Sequence, residues 1–344
     1  MAGSTQEATA QARADKLATL PFLRTDLGGT AVVHPTRSPD QGRGQERSDA
    51  RRIISVWGFG RSISDIVRHR ELLGLLVRRE LKAKYKNSAL GLLWTLARPL
   101  TMLLIYTVAA GKFLGAANVV PNYAIYVYSG LTIWSLFQEI VVTGTSSIVH
   151  SAGLIKKVYL PREVFPVAST GSAVVTFSFQ FLVLALACVL LRAVPTGGDL
   201  VYIPLGIGIM VVWGLACALL LSAVNVYLRD VQYLVEAAIM LFMWASPIIY
   251  PWGKVVEACQ VPGRGWLLWL MQGNPMTAAV MCFHRGVWQI GSHPTELHGN
   301  MVPATPYPDH FLAYVLVVIG VGLVAVFGAQ QVFRRLQGNF AQEI

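Results

Sequence analysis

A cluster of cations stands immediately before the first long apolar segment of the chain. Its members are Arg78, Arg79, Lys82, Lys84 and Lys86, and Arg98 follows inside that segment. Cations in such a place attract anionic lipid headgroups at about 1 kcal/mol for each Lys or Arg. In a soluble protein they would suggest nucleic acid, but here they adjoin an apolar segment and no recognition motif accompanies them. The pattern therefore predicts a membrane surface and no nucleic acid.

Residue patterns for ATP binding, hydrolysis or metal binding are missing from the sequence. The phosphate-binding pattern G-x-x-x-x-G-K-[ST] does not occur, and the Gly-Lys pairs at 111–112 and 253–254 lack both its spacing and its hydroxyl. Neither H-E-x-x-H nor G-x-S-x-G is present, and the 7 histidines are scattered. We therefore expect no catalytic residue, metal site or cofactor in this chain. If it takes part in ATP-driven transport, the ATPase is another polypeptide.

The composition is that of a membrane protein. The chain is 54% hydrophobic and 13% charged, with a mean hydropathy of +0.52. Apolar segments long enough to cross a bilayer predict six spanning helices, near 92–114, 123–148, 164–191, 200–226, 231–250 and 311–333. The predicted fold class is thus an all-α membrane protein.

The loop charges predict the orientation. An even number of spans returns the C-terminus to the side of the N-terminus, and Lys156, Lys157, Arg334 and Arg335 fall on that side. An excess of Lys and Arg marks the cytoplasmic face, so both termini are expected in the cytoplasm and the protein in the plasma membrane. Residues 1–60 are polar and predict a disordered cytoplasmic tail without a signal peptide. The transmembrane domain covers 88–336, and 337–344 form a cytoplasmic C-terminus.

An amphipathic segment, 61–87, precedes the first span. Its apolar residues recur at steps of three and four among the cations, at Ile63, Ile66, Val67, Leu73, Val77, Leu81 and Tyr85. A basic face beside a span favours a helix lying in the cytoplasmic membrane surface. A helix packed in a soluble core is the alternative.

The connection between the fifth and sixth predicted spans is long and partly apolar. Trp266 and Trp269 lie on one short apolar run, and a second run follows Asn274 and Pro275, an N-cap and a first helical residue by type. The pattern predicts an external helical hairpin over 263–290, re-entrant or lying on the surface; ordinary interfacial helices are the alternative. Cys259 and Cys282 share this connection, and their spacing leaves a disulfide open.

Four segments, taken together, resemble the permease subunits of type-2 ABC exporters of lipid-linked polysaccharides. They are RDVQY at 229–233 continuing to SPIIYP at 246–251, KYKNSALGLLW at 84–94 with RPL at 98–100, LIKKVYLPRE at 154–163, and NP at 274–275. The resemblance covers roughly residues 68–336 and implies a homodimer of permeases paired with two ABC ATPase subunits, which bind ATP and Mg. The implied substrate is a polysaccharide on a polyprenyl pyrophosphate. O-antigen, teichoic acid and galactan are carried in this family. Arginine greatly outnumbers lysine and alanine is abundant, which suggests a gene of high GC content. This high-GC composition and the long polar tail favour galactan.

The resemblance also implies roles for particular residues. Segment 151–163 would be the element that contacts the ATPase, with Leu154, Ile155, Lys156, Lys157, Tyr159, Pro161, Arg162 and Glu163; a solvated loop is the alternative. The cations at 78, 79, 82, 84, 86 and 98 would capture the lipid pyrophosphate, or only anchor the chain. Trp266, Trp269, Asn274 and Pro275 would belong to an external gate.

Aromatic residues lie at helical spacing on two predicted spans. They are Tyr123, Tyr126, Trp134 and Phe137 on the second, and Tyr233 and Trp244 on the fifth. Such rings could stack on the sugars of a sliding polymer, or they could be lipid-facing belts and packing residues. Glu139 and Glu236 lie within spans, where pairing with Arg98 or Arg229 is favoured.

The sequence lacks the features of two other classes of membrane protein. A membrane glycosyltransferase would need acidic residues for a metal-bound nucleotide sugar, but no D-x-D is present. An ion-coupled secondary transporter usually has repeated halves, which this sequence lacks. The prediction is therefore a transport subunit.

Overall fold

The computed structural model describes residues 70–85, 94–113, 115–157, 160–297 and 300–343. The predicted tail 1–60, the first part of the amphipathic segment (61–69), and residues 86–93, 158–159 and 298–299 lie outside the described residues. All described residues belong to one unit, Phe59–Ile344.

The described residues are mostly helical. The helices are α1 (Arg70–Tyr85), α2 (Trp94–Tyr106), α3 (Tyr123–His150), α4 (Ala152–Ile155), α5 (Val164–Leu190), α6 (Tyr202–Tyr227), α7 (Val231–Trp244), α8 (Trp252–Cys259), α9 (Gly265–Gly273), α10 (Pro275–Val287), α11 (Phe311–Leu336) and α12 (Phe340–Glu343). A π-helical segment, Thr107–Phe113, extends α2. Short 3₁₀ turns are Ala116–Asn118, Gly198–Val201, Gln289–Ser292 and Gln337–Asn339.

Four of these helices are long and apolar enough to cross a membrane. They are α3, α5, α6 with the turn before it, and α11 with the turn after it. Their bounds lie within a few residues of the predicted second, third, fourth and sixth spans. A multi-pass membrane protein is therefore confirmed.

The predicted first and fifth spans correspond to shorter apolar helices, Pro99–Phe113 and Val231–Trp244. Fourteen residues of α-helix are about 21 Å long, less than the roughly 30 Å hydrocarbon core. Pro247 cannot continue α7 because it lacks a backbone N–H, and the helix ends shortly before it. Six complete crossings therefore remain a prediction.

Helix α3 lies at the centre of the bundle and packs closely on α6. A Cβ at Gly144 would lie only 2.4 Å from Cβ of Ala218, and one at Gly214 would lie 2.9 Å from Ile140. Small residues at such points let two helix backbones approach, as is common between membrane helices. Asn225 of α6 also donates its amide to the Thr145 carbonyl of α3 at 3.1 Å. This contact fixes the two helices that other elements pack around.

Two clusters of buried side chains form along the bundle. The larger one lies at the end that carries α8–α10, which we call the hairpin end. The smaller one joins α1, α3, α5, α6, α11 and α12 at the opposite end, which we call the terminal end. Helix α1 packs on α5, because Val77 fills the space over Gly171.

A two-stranded antiparallel ribbon in the loop before α11 was not predicted. Strand β1 (Thr295–Leu297) pairs with β2 (Asn300–Val302), with Thr295 opposite Val302. Strands this short carry too little periodicity to stand out in a sequence. The all-α prediction therefore holds for the membrane helices but missed this ribbon.

Candidate functional site

At the terminal end, α1 presents exposed cations, one of which also reaches α3. Arg78, Arg79, Lys82 and Lys84 are exposed, and the Lys84 ammonium forms an ion pair with the Glu139 carboxylate of α3. Glu139 is thus paired, as predicted, with a partner that the sequence did not suggest. Lys86 and the side chain of Arg98 lie outside the described residues. Sequence spacing could not find this pair, since 55 residues separate its members.

Glu80 attaches the same helix to α5. Its two carboxylate oxygens accept hydrogen bonds from the hydroxyls of Ser169 (3.2 Å) and Ser172 (3.1 Å). Burial raises the pKa of this carboxyl above its usual value, although the serine hydrogen bonds act in the opposite direction. Helix α1 is thus held to the bundle by polar contacts as well as by its apolar stripe.

The predicted coupling segment, 151–163, has two differently oriented parts. Leu154 and Ile155 pack towards the smaller core cluster, while Lys156, Lys157 and Pro161 are exposed. Arg162 and Glu163 turn inwards, and Tyr159 lies outside the described residues. The predicted role of these residues in contacting the ATPase stays a prediction; the structure adds that Arg162 and Glu163 contact the rest of this chain.

Those two inward residues contact the C-terminal part of the chain. Glu163 is 5% exposed and accepts hydrogen bonds from Gln330 (3.0 Å) and Arg334 (3.2 Å) of α11. The Arg162 guanidinium donates to the carbonyl of Gln337. Neither contact could be predicted from the sequence.

At the hairpin end, two predicted pathway tyrosines turn out to support the backbone after α7. Tyr126 is 1% exposed and donates its hydroxyl to the carbonyls of Tyr250 (2.8 Å) and Pro247 (3.2 Å). Tyr123 donates to the carbonyl of Ile249 at 3.2 Å. These bonds satisfy carbonyls that the Pro-broken segment leaves without helical partners.

The predicted aromatic stripes differ in exposure. Trp134 and Phe137, like the two tyrosines of α3, are buried inside the chain, so packing accounts for their positions. Tyr233 and Trp244 of α7 are instead 68% and 52% exposed. The ring of Trp244 meets that of Tyr106 on α2 edge to face at 6.5 Å. The last residues of α2 and α7 therefore meet, and α7 presents an aromatic surface.

The turn of the hairpin is joined to the end of α7. Asn274 caps α10 by accepting from the Met276 N–H at 3.0 Å, and Pro275 is the first helical residue, as the sequence predicted. The other end of the same amide donates to the Ser246 hydroxyl at 3.2 Å. Helix α10 is buried throughout most of its length, while Trp266 and Trp269 on α9 are exposed. Cys259 and Cys282 are free thiols, so they form no disulfide.

Helix α10 also carries a histidine and an arginine whose roles the sequence did not predict. The His284 ring stacks on Tyr126 with centroids 4.0 Å apart, and burial lowers the pKa of His284 to about 3, so the ring is neutral. Arg285 donates to Asp199 at 2.9 Å, and its guanidinium carbon lies 4.5 Å from the centre of the Tyr202 ring. Arg285 thus attaches α10 to the start of α6.

A cavity of about 380 Å³ lies beside this region. Its walls come from the loop before α3, from α8 and from the loop around the β ribbon, and include Pro121, Trp288 and Pro306. Lys254 and Glu257 stand at the cavity and pair with each other at 2.8 Å. Across the described ranges, no group of three or more His, Cys, Asp and Glu side chains is arranged to hold a metal ion.

Comparison with known proteins identifies the kind of membrane protein. Residues 71–287 match the family described as ABC-2 type transporter. The chain belongs to that family. It is 28% identical to an O-antigen export system permease protein of Myxococcus xanthus over 83% of this chain and 99% of that one. It is 24% identical to the protein of the same description from Klebsiella pneumoniae, over 79% and 94% of the two chains. The resemblance predicted from the sequence is confirmed, and this ABC-2 protein is a transport subunit rather than an enzyme.

Proposed function

We propose that this chain is the permease of an ATP-driven exporter that moves a polysaccharide, carried on a polyprenyl pyrophosphate, from the cytoplasm across the plasma membrane. The observation that supports this most is its similarity, over most of both chains, to permeases named for O-antigen export. Galactan is the polymer that we favour, from the high-GC composition and long polar tail. O-antigen is the alternative favoured by the names of the relatives, and teichoic acid is a third.

The energy comes from a separate ABC ATPase subunit. The sequence lacks the phosphate-binding G-x-x-x-x-G-K-[ST] pattern, so ATP and Mg bind to that partner. Two permeases and two ATPases form the complex. Lys156 and Lys157, exposed beyond the inward-facing Leu154 and Ile155, contact the ATPase and transmit its movement.

Helices α2 and α7 form the surface that meets the second permease and the substrate. Their last residues, Tyr106 and Trp244, meet edge to face. Large apolar side chains are exposed along α2 with its π-helical extension and along α7, at Leu100, Leu104, Ile105, Val108 and Phe113 and at Tyr233, Leu234, Met240, Leu241, Phe242 and Trp244. Apolar surface of this extent suits lipid or a second copy, and the rings of Tyr233 and Trp244 suit the faces of sugars.

The cations of α1 gather the anionic headgroup. Arg78, Arg79 and Lys82 are exposed on a helix that we place at the cytoplasmic membrane surface, where they attract pyrophosphate. Arg98 is the candidate for contact deeper in the membrane. At the opposite face, the hairpin turn at Asn274 and Pro275 with the exposed Trp266 and Trp269 forms the gate. This orientation places both termini in the cytoplasm.

Reconstitution with the partner ATPase tests the proposal. Proteoliposomes that contain both subunits should export lipid-linked galactan with ATP, and removal of either subunit should abolish export. Parallel samples with lipid-linked O-antigen or teichoic acid distinguish the substrates. Sugar transfer from a nucleotide sugar by the permease alone would indicate a glycosyltransferase. Transport driven by an ion gradient without the ATPase would indicate a secondary transporter.

A further inference from the structure

The residue pair that ends the coupling segment is bound to the C-terminal part of the chain rather than to solvent. Glu163 precedes α5 directly and is almost completely buried. Its Oε2 accepts from Gln330 and its Oε1 from Arg334. Residues 330 and 334 are four apart and share one face of α11. One carboxylate therefore joins the start of α5 to two successive turns of α11.

A second set of contacts holds the chain just after α11. The Arg162 guanidinium donates to the carbonyl of Gln337 and lies 5.6 Å from the centre of the Phe340 ring. The Phe340 ring is fully buried and meets that of Phe333 edge to face at 5.6 Å. The chain after the last span is thus packed against the end of the coupling segment.

The chain after α11 is also attached to the end of α6. The Tyr227 hydroxyl donates to the carbonyl of Leu336 at 2.6 Å, and its ring lies 6.0 Å from that of Phe340. Tyr227 is the last residue of α6, and α7 begins four residues later. Residues 336–340, which we call the C-terminal clasp, therefore contact both the start of α5 and the end of α6.

Joining two helices through a buried carboxylate costs desolvation free energy. Apolar side chains of similar volume would pack there without the cost of removing a charge from water. A carboxylate held by two donors differs from apolar packing in fixing one relative orientation of its partners. This directional hold suits an element that must transmit a displacement.

We propose that Glu163 is a positioning residue that makes the end of the coupling segment and α11 move as one body. The contacts of Arg162 and Tyr227 attach the C-terminal clasp and the end of α6 to that body. Displacement of residues 151–163 by the ATPase then reaches α6 and α11 as well as α5. The inference rests on the proposed function, because it presupposes an ATPase that displaces this segment. It concerns how force spreads inside the permease, which the family assignment does not address.

Loss of the carboxylate tests the inference in the complete complex. Glu163→Gln keeps the shape of the side chain but removes the charge that Arg334 and Gln330 hold. We expect export per ATP hydrolysed to fall at least about fivefold, the lower end of typical coupling between sites, with ATP hydrolysis retained. Arg335→Gln, an exposed cation one residue beyond Arg334, is the control and should leave this ratio unchanged. An unchanged ratio in Glu163→Gln would overturn the inference.

A crosslink tests the rigid-body part independently of the charge. Glu163→Cys with Gln330→Cys, bridged by a bifunctional thiol reagent that spans the gap left by the two longer side chains, should export at a rate near that of the wild type and well above that of the unbridged double variant. Loss of export on bridging would show that the contact must open, which contradicts the inference. Absence of ATP-dependent export by the wild-type complex would instead count against the proposed function.

Discussion

The contact between α3 and α6 gives a sharp test of how the bundle is held together. Gly144→Ala places a methyl group where the backbones approach, and its Cβ would lie 2.4 Å from Cβ of Ala218 and 3.2 Å from its Cα. Carbon atoms in favourable contact lie about 3.5–4.0 Å apart. The two helices must therefore separate by about 1 Å or more, since neither atom belongs to a side chain that can rotate away.

The expected magnitude follows from two opposing effects. Forcing a methyl group into a packed interior costs about 1–3 kcal/mol, and a rigid neighbour at 2.4 Å places this site at the upper end. Replacing a helical glycine by alanine returns about 1 kcal/mol through backbone entropy. We therefore expect a net loss of about 2 kcal/mol in the free energy of unfolding of Gly144→Ala, measured in detergent by denaturant titration.

Two further variants decide whether the contact is the cause. Gly208→Ala on α6 meets nothing within 4 Å, so it should be neutral or slightly stabilising. Ala218→Gly combined with Gly144→Ala removes the closer clash and leaves only the 3.2 Å approach, so it should recover most of the loss. Wild-type stability in Gly144→Ala, or no recovery in the double variant, would refute the packing argument.

Three other predictions concern the two ends of the bundle. Because burial raises the pKa of Glu80 above 4.5, the folded protein should lose stability as pH rises from about 4.5 through the raised pKa. Glu80→Gln does not titrate, so its free energy of unfolding minus that of the wild type should increase over this pH range. A difference that does not change with pH would contradict the prediction. Glu71→Gln, at an exposed carboxylate of the same helix, is the matched control. Arg285→Gln should lower the free energy of unfolding by about 1–3 kcal/mol in the denaturant titration, because it removes the ion pair with Asp199 and the cation–π contacts with three aromatic rings. An unchanged value would refute the role of Arg285 in attaching α10. Lys156→Glu with Lys157→Glu should reduce ATP-driven export in proteoliposomes modestly, since exposed ion pairs contribute about 0–1 kcal/mol each, and unaltered export would exclude these lysines from the ATPase contact.

Some predictions at the site held because they depend on neighbours in sequence. Asn274 and Pro275 begin α10 as predicted, because capping needs only the residue and the next helical N–H groups. The contacts of Arg162 and Glu163 could not be predicted in this way, since both side chains bind residues about 170 positions away.

The aromatic stripes show the same limit. Helical spacing correctly grouped Tyr123, Tyr126, Trp134 and Phe137 on α3, but it could not tell whether their common face meets substrate, lipid or protein. In the structure that face is buried, and the Tyr126 hydroxyl donates hydrogen bonds to the carbonyls of Pro247 and Tyr250. The stripe on α7, which looked alike in the sequence, is exposed.

By itself, the sequence determined that this is a multi-pass membrane protein of the ABC-2 family, with four spans close to their observed bounds. A spanning helix can be recognised locally, because about twenty consecutive apolar residues suffice to cross the hydrocarbon. Only the tertiary structure decided that Glu139 pairs with Lys84, that Glu163 binds α11, and that Arg285 attaches α10 to α6. Helical periodicity shows which residues share a face of a helix. Which other helix packs against that face depends on the packing of all the helices together.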